Sequence, residues 1–161
     1  KQGQGRTRMS GDSRGYALDI SEHLFHLTTE SLRLRSNETK RYQTLASLVN
    51  ARAAYSCKME EHDPETIRDH LVTIPTKGDI RIYLSISRSS ADSLVEAKKR
   101  LGDQLGSNLT VGDALSILLF DYVVERKATR VLERLGLDEP TGKCGEPNAN
   151  ESQDGNVLRL R

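Results

Sequence analysis

Residues 80–123, IRIYLSISRSSADSLVEAKKRLGDQLGSNLTVGDALSILLFDYV, decide the fold. Ile80, Ile82, Leu84 and Ile86 alternate with Arg81, Tyr83 and Ser85, the period-2 signature of a strand with one buried face. Ser89 then stands three residues before Asp92, a capping-box-like start. Ala91, Leu94, Leu101 and Leu105 repeat at helical spacing until Gly106 stops the helix. A second helix begins at Thr110, with Asp113 as its box partner and Leu109 placed to staple onto Ala114. From Ala114 to Val124, nine of eleven residues are apolar. A helix that is apolar nearly all round must be surrounded by other elements. The basic residues Arg126, Lys127, Arg130 and Arg134 give it a more polar continuation to about Leu137.

One strand alone leaves unpaired backbone groups on both edges, so a partner strand is required. It can come from a second copy of the chain or from the N-terminal half of this one. There Tyr16, Leu18 and Ile20 alternate with Ala17 and Asp19, and Leu24, Leu27, Leu32 and Leu34 follow at helical positions. Asn37 or Thr39 is the expected cap of a further helix with the stripe Tyr42, Leu45, Ala46, Val49 and Ala53. Ile20 aligns with Ile86 at an offset of 66 and Leu45 with Leu115 at 70, so the first helix of the second copy is expected to be one turn longer. Residues 16–58 and 80–137 thus form a degenerate repeat within one domain, 16–137, joined by a linker at 59–79. A basic arm, 1–15, and an acidic tail, 138–161, rich in Pro, Gly and charge, flank it and are expected to stay disordered.

The strand, helix, helix order resembles the ribbon-helix-helix DNA-binding family, well over about 48 residues and more weakly, through the repeat, over about 120. Within it the chain is similar to the single-chain, double ribbon-helix-helix accessory proteins of T-DNA and plasmid transfer. The resemblance implies a mainly α fold with a short two-stranded antiparallel ribbon, arranged β-α-α-linker-β-α-α as a single-chain pseudo-dimer. A homodimer is the other way to complete the ribbon. It further implies that outward ribbon side chains enter the major groove of double-stranded DNA. These positions are Arg81, Tyr83 and Ser85, with Ala17 and Asp19 in the first copy. Arg81 can contact guanine O6 and N7, whereas Asp19 repels phosphate and can at best accept from a cytosine amine. Phosphates are expected at the N-terminus of each second helix, on Asn108, Leu109 and Thr110 and on Asn37, Thr39, Lys40 and Arg41. The arm adds Arg6, Arg8 and Arg14, which can track a minor groove. Other proteins of a transfer complex are further expected partners. A plasmid repressor or antitoxin of the same fold, and a helical adaptor using Ala114–Val124, are the alternatives.

Each set also has a plainer reading. Arg81, Tyr83 and Ser85 can be a solvated strand face, Lys98, Lys99 and Arg100 the wet side of a helix, and the arm charges linker charges. Enzymatic chemistry finds no support. His23 and His26 lack a third ligand, and no P-loop, dinucleotide fingerprint or nucleophile elbow occurs. No enzyme activity, cofactor, metal or membrane partner is therefore expected. The seven aromatic residues, two Phe and five Tyr, are too few for a base-stacking single-strand binder. The net charge of +1 hides a pattern: residues 14–58 carry +3 and 80–137 carry +2, while 59–79 carry -4 and the tail -2. Cys57 and Cys144 match no metal-ligand spacing and are expected as free thiols in a reducing cytosol, and a chain opening on Lys1 reads as part of a longer one.

Overall fold

The computed structural model describes residues 12–137. Arg6, Arg8, Cys144 and the tail 138–161 lie outside the described residues. The chain is mainly helical with one two-stranded antiparallel sheet. In order come β1 (Ser13–Ile20), α1 (Glu22–Thr39), α2 (Leu45–Arg52), a 3-10 segment (Ala53–Glu61), α3 (Pro64–Thr73), β2 (Ile80–Ser87), α4 (Arg88–Leu105) and α5 (Val111–Arg134). Strand β1 pairs with β2 of the same chain in a register that runs from Ser13 opposite Ser87 to Ile20 opposite Ile80. The missing partner strand is therefore supplied internally. β1 begins at Ser13, so Arg14 belongs to the ribbon and not to the arm.

The two halves share their punctuation. Ser21 caps α1 and Ser87 caps α4, each hydroxyl accepting from the backbone N–H three residues on. Lys40 and Gly106 end those helices in the left-handed conformation, at φ 56° and 66°. Thr44 and Thr110 open α2 and α5 with reciprocal capping boxes, to Ser47 and Asp113. Every pair is separated by 66 residues, and α1 and α4 both have 18. The expected extra turn in α4 does not exist. It arose from aligning Leu45 with Leu115, whereas at the common spacing Leu115 matches Val49. Asn37 and Thr39, expected to cap α2, lie in the last turns of α1. The cap of α4 is likewise Ser87, two residues before the expected Ser89.

The alternation of β2 places Leu84 and Ile86 in the core together with Ile20 from β1. Beneath the ribbon, Leu34, Leu48, Val49, Ala91, Leu94, Leu101, Leu105, Ala114, Leu115 and the run from Ile117 to Leu119 form one cluster. From Ala114 to Val123 only Phe120 is not buried, as an all-round apolar helix requires. Tyr42, expected in the apolar stripe of α2, is instead fully exposed, because it lies in the turn before the helix. Residues 59–79 hold more than a linker. Asp63 caps α3 with Pro64 at its first position, and Met59, Ile67 and His70 are buried.

Cys57 corrects the thiol expectation: it is disulfide-bonded, and no described cysteine is free. Spacing along the chain carries no signal for such a bond, which depends on tertiary approach. Among the described residues no helix is long and apolar enough to cross a membrane.

A buried charge cluster ties the halves together. Arg52, at the end of α2, donates to Asp121 at 3.4 Å and to Glu125, both on α5, while His62 Nε2 lies 2.7 Å from the other Asp121 oxygen. The Arg52 guanidinium also stands over the Tyr55 ring at 4.4 Å. Its side chain is 8% exposed and that of Asp121 7%, so neither charge can recover full hydration if its partner is lost. Arg52→Ala should destabilise the fold by about 3–5 kcal/mol in urea titrations, well beyond a surface ion pair. A loss under about 1 kcal/mol would mean that water reaches Asp121.

His70 of α3 contacts Ser116 at 2.8 Å and stacks on Phe120 with ring centroids 4.4 Å apart. Burial pushes its imidazole below the ordinary value, a hydrogen bond with the Ser116 backbone works against that, and electrostatic repulsion from His62 adds to the depression. The unfolded chain therefore binds the proton more readily. Stability from this group is complete above about pH 6.5 and is lost as pH falls from there through the depressed native value. Unfolding free energy should drop on acidification below about pH 6.5, with a slope of at most about 1.4 kcal/mol per pH unit from this proton. His70→Gln should flatten that slope; an unchanged slope would assign the titration elsewhere.

Candidate nucleic-acid interface

Alternation on the two strands divides the ribbon into a core face and an outward face. The outward face carries Ser13, Gly15, Ala17 and Asp19 from β1 and Arg81, Tyr83 and Ser85 from β2, all exposed. The sequence-derived reader positions thus lie on one surface. Asp19 faces Arg81, Ala17 faces Tyr83 and Gly15 faces Ser85 across the register. The β1 side is nearly bare, so the surface is dominated by the β2 side chains. Tyr83 is 79% exposed, unusual for an aromatic ring with no apolar cover. Arg14 sits at a core-face position of β1 but is exposed, its guanidinium 5.3 Å from the Tyr16 ring centroid.

Arg81 is not a free charge. Its Nε and Nη2 donate to the two Asp19 carboxylate oxygens, both at 2.8 Å, in a bidentate pair. Those hydrogen bonds hold the Asp19 carboxyl below the usual carboxylate value and raise the guanidinium above its own. The side chains are 57% and 52% exposed, so the pair stands in solvent and fixes geometry more than stability.

The helix N-termini beside the ribbon differ in charge. At α5, Asn108 and Thr110 are exposed and Leu109 is half-buried against the core, where the sequence reading expected them. Asp113 accepts from the Thr110 N–H at 2.8 Å and from the Thr76 hydroxyl at 2.5 Å, which puts a carboxylate on the anion-binding end of the helix. Lys98 and Lys99 line an open groove with Asp103, Ser107 and Asn108, and the two lysines outweigh the one acid there. At α2 the box partner is the neutral Ser47, and Lys40 and Arg41 stand in the turn just before it.

This placement corrects the first-copy phosphate set. Asn37 and Thr39 belong to α1, and the Thr39 hydroxyl donates to the Arg35 carbonyl at 2.9 Å. The positions equivalent to Asn108, Leu109 and Thr110 are Tyr42, Gln43 and Thr44. Sequence reasoning missed them because Lys40 occupies a left-handed helix end where Gly is the usual signal. The signal that could have found them is Thr44 with Ser47, a capping box with serine in the acid's place.

Among the described residues no group of three or more His, Cys, Asp or Glu side chains is arranged to hold a metal ion. No protein-family model, curated protein or solved structure matches the chain.

The Asp19 end of the ribbon depends on Gly78. Its N–H reaches the Asp19 carbonyl at 3.4 Å, and a Cβ there would run into the Ser21 Cα and the Ile20 carbonyl. These are backbone atoms and cannot swing away. Gly78→Ala should cost about 1–3 kcal/mol by overpacking. Hydrogen exchange of the Ile20 and Ile80 amides should accelerate more than exchange in α5, and uniform change would show that Gly78 does not govern the ribbon end.

Proposed function

We propose that the protein binds double-stranded DNA sequence-selectively, reading the major groove with the outward face of its ribbon in the manner of ribbon-helix-helix proteins. The two halves of one chain take the places of two subunits. The observation that carries this reading is the exposed set Arg81, Tyr83 and Ser85 on a two-stranded ribbon paired within the chain. A major groove about 12 Å wide admits such a ribbon, and Arg, Tyr and Ser supply donors and acceptors for base edges. Thr44 and Thr110 open helices whose N–H groups can grip phosphates, aided by Lys40, Arg41, Lys98 and Lys99. Because β1 contributes Ala17 and Asp19 where β2 contributes Tyr83 and Arg81, the preferred site need not be palindromic.

The resemblance to single-chain double ribbon-helix-helix proteins supports a role as accessory factor in plasmid or T-DNA processing and conjugative transfer. A repressor or antitoxin of the same fold is the competing role. Footprinting on the replicon that encodes the protein separates them, since one predicts a site at a transfer origin or border and the other a site in a promoter. The adaptor reading loses support, because all of Ala114–Val123 except Phe120 is buried within this chain.

Binding to duplex DNA should weaken linearly in log–log salt titrations, with a slope of about -0.9 per phosphate contacted. Arg81→Ala should cost the preferred duplex about 1–3 kcal/mol and relax selectivity at one base pair, whereas Lys40→Ala should weaken all duplexes alike and shallow the slope by about 1. Parent-like binding by both Arg81→Ala and Tyr83→Ala would refute groove reading by the ribbon.

A further inference from the structure

We propose that Asp19 is a positioning residue for Arg81: it locks the guanidinium so that its outer edge is presented to a guanine, and thereby sets specificity at that base pair. The inference rests on the ribbon-reading function proposed above. It gives Asp19 a role other than the expected repulsion of phosphate or acceptance from a cytosine amine.

The geometry points this way because a guanidinium has two different bidentate edges. Asp19 takes the side edge, Nε–H together with one Nη2–H, with both oxygens at 2.8 Å. The other Nη2–H and the Nη1 hydrogens are left to partners other than Asp19, and the neighbouring Tyr83 hydroxyl is one that also raises the guanidinium. This end edge, one hydrogen on each Nη, is the fork that matches guanine O6 and N7. Asp19 therefore occupies the edge that base reading does not need. It also fixes the plane of a long side chain whose rotamer freedom would otherwise be lost on binding.

The surroundings fit a single purpose for the pair. Asp19 and Arg81 are direct register partners, so neither side chain has to reach along the ribbon. Ala17 and Gly15 offer no competing acceptor on β1, and Tyr83 stands two residues along the same face. The carboxylate cancels the guanidinium charge at long range, which lowers attraction to arbitrary phosphate while keeping the short-range donors. Discrimination gains where general affinity loses.

The test selects duplexes from a randomised library with the full chain and then measures binding of the selected duplex and its single-base variants. The parent should discriminate the selected guanine roughly tenfold or more, and 7-deazaguanine at that position should remove the preference. Asp19→Ala should lose most of this discrimination and yet bind unselected duplex more tightly, since an acid has left the surface. Asp19→Glu should recover part of the discrimination, and Asp19→Asn, with one acceptor, should not. Both positions are exposed, and melting curves check that each variant folds. If Arg81→Ala abolishes the guanine preference while Asp19→Ala keeps it, the positioning role is wrong and ribbon reading survives. If Arg81→Ala keeps the preference, or the parent selects no duplex sequence, ribbon reading fails and the positioning role fails with it.

Discussion

The pairing of β1 with β2 is the constraint on which the rest of the molecule depends. Neither strand can satisfy its backbone groups alone, and the two are separated by α1, α2, the 3-10 segment and α3. Closing a connection of roughly 60 residues costs about 4 kcal/mol of chain entropy plus a constant. A second chain is the more expensive source of a strand. Tethered strands meet at an effective concentration on the order of 1 mM, so at 1 μM protein the internal partner is favoured roughly a thousandfold, or about 4 kcal/mol. The two β-α-α halves thus fold as one unit, and the core below the ribbon draws on both.

A single unit needs its halves fixed in angle as well as joined. Polar contacts between the halves do this, some buried and some partly exposed. Tyr122 of α5 donates to Glu38 of α1 at 3.0 Å, and Glu38 also pairs with Arg35 and, across the gap, Arg126. Arg52 reaches Asp121 and Glu125 from α2. An apolar replacement of similar volume could be equally stable, because burying charges costs several kcal/mol per ion before pairing returns it. What an ion network adds is directional, since only one placement of α2 against α5 satisfies all its members. Apolar contacts alone tolerate sliding. We read the network as setting the angle at which the two helix N-termini stand beside the ribbon.

The parts legible in the sequence are those where a short-range rule and the fold agree. β2 was readable from Ile80 to Ile86 by alternation, α5 from Thr110 by its Thr/Asp box, and the end of α4 from Gly106. The outward face followed from the same alternation, so Arg81, Tyr83 and Ser85 needed no tertiary knowledge. The turn between α1 and α2 was not readable, because Lys40 takes a left-handed conformation and Ser47 replaces the acid of the box. α3 hid inside an acidic stretch whose charge suggested a linker, although Asp63 and Pro64 mark its start. The Arg81–Asp19 pair and the Cys57 bond depend on what meets across the fold, and periodicity carries no trace of either.

The halves share their punctuation at a spacing of 66 residues and differ in what they display. β1 offers Gly15, Ala17 and an acid, β2 offers Ser85, Tyr83 and an arginine that the acid holds. The α2 N-terminus keeps a neutral box beside Lys40 and Arg41, while that of α5 carries Asp113. Two identical subunits would be forced to repeat any change in both places. One chain is released from that symmetry. A small residue on β1 can make room for a large one on β2, and an outward-facing arginine can be given a dedicated partner without a second copy of the pair. On the proposed function, the base-reading contacts concentrate on β2 and the stronger phosphate grip falls on the half that reads less.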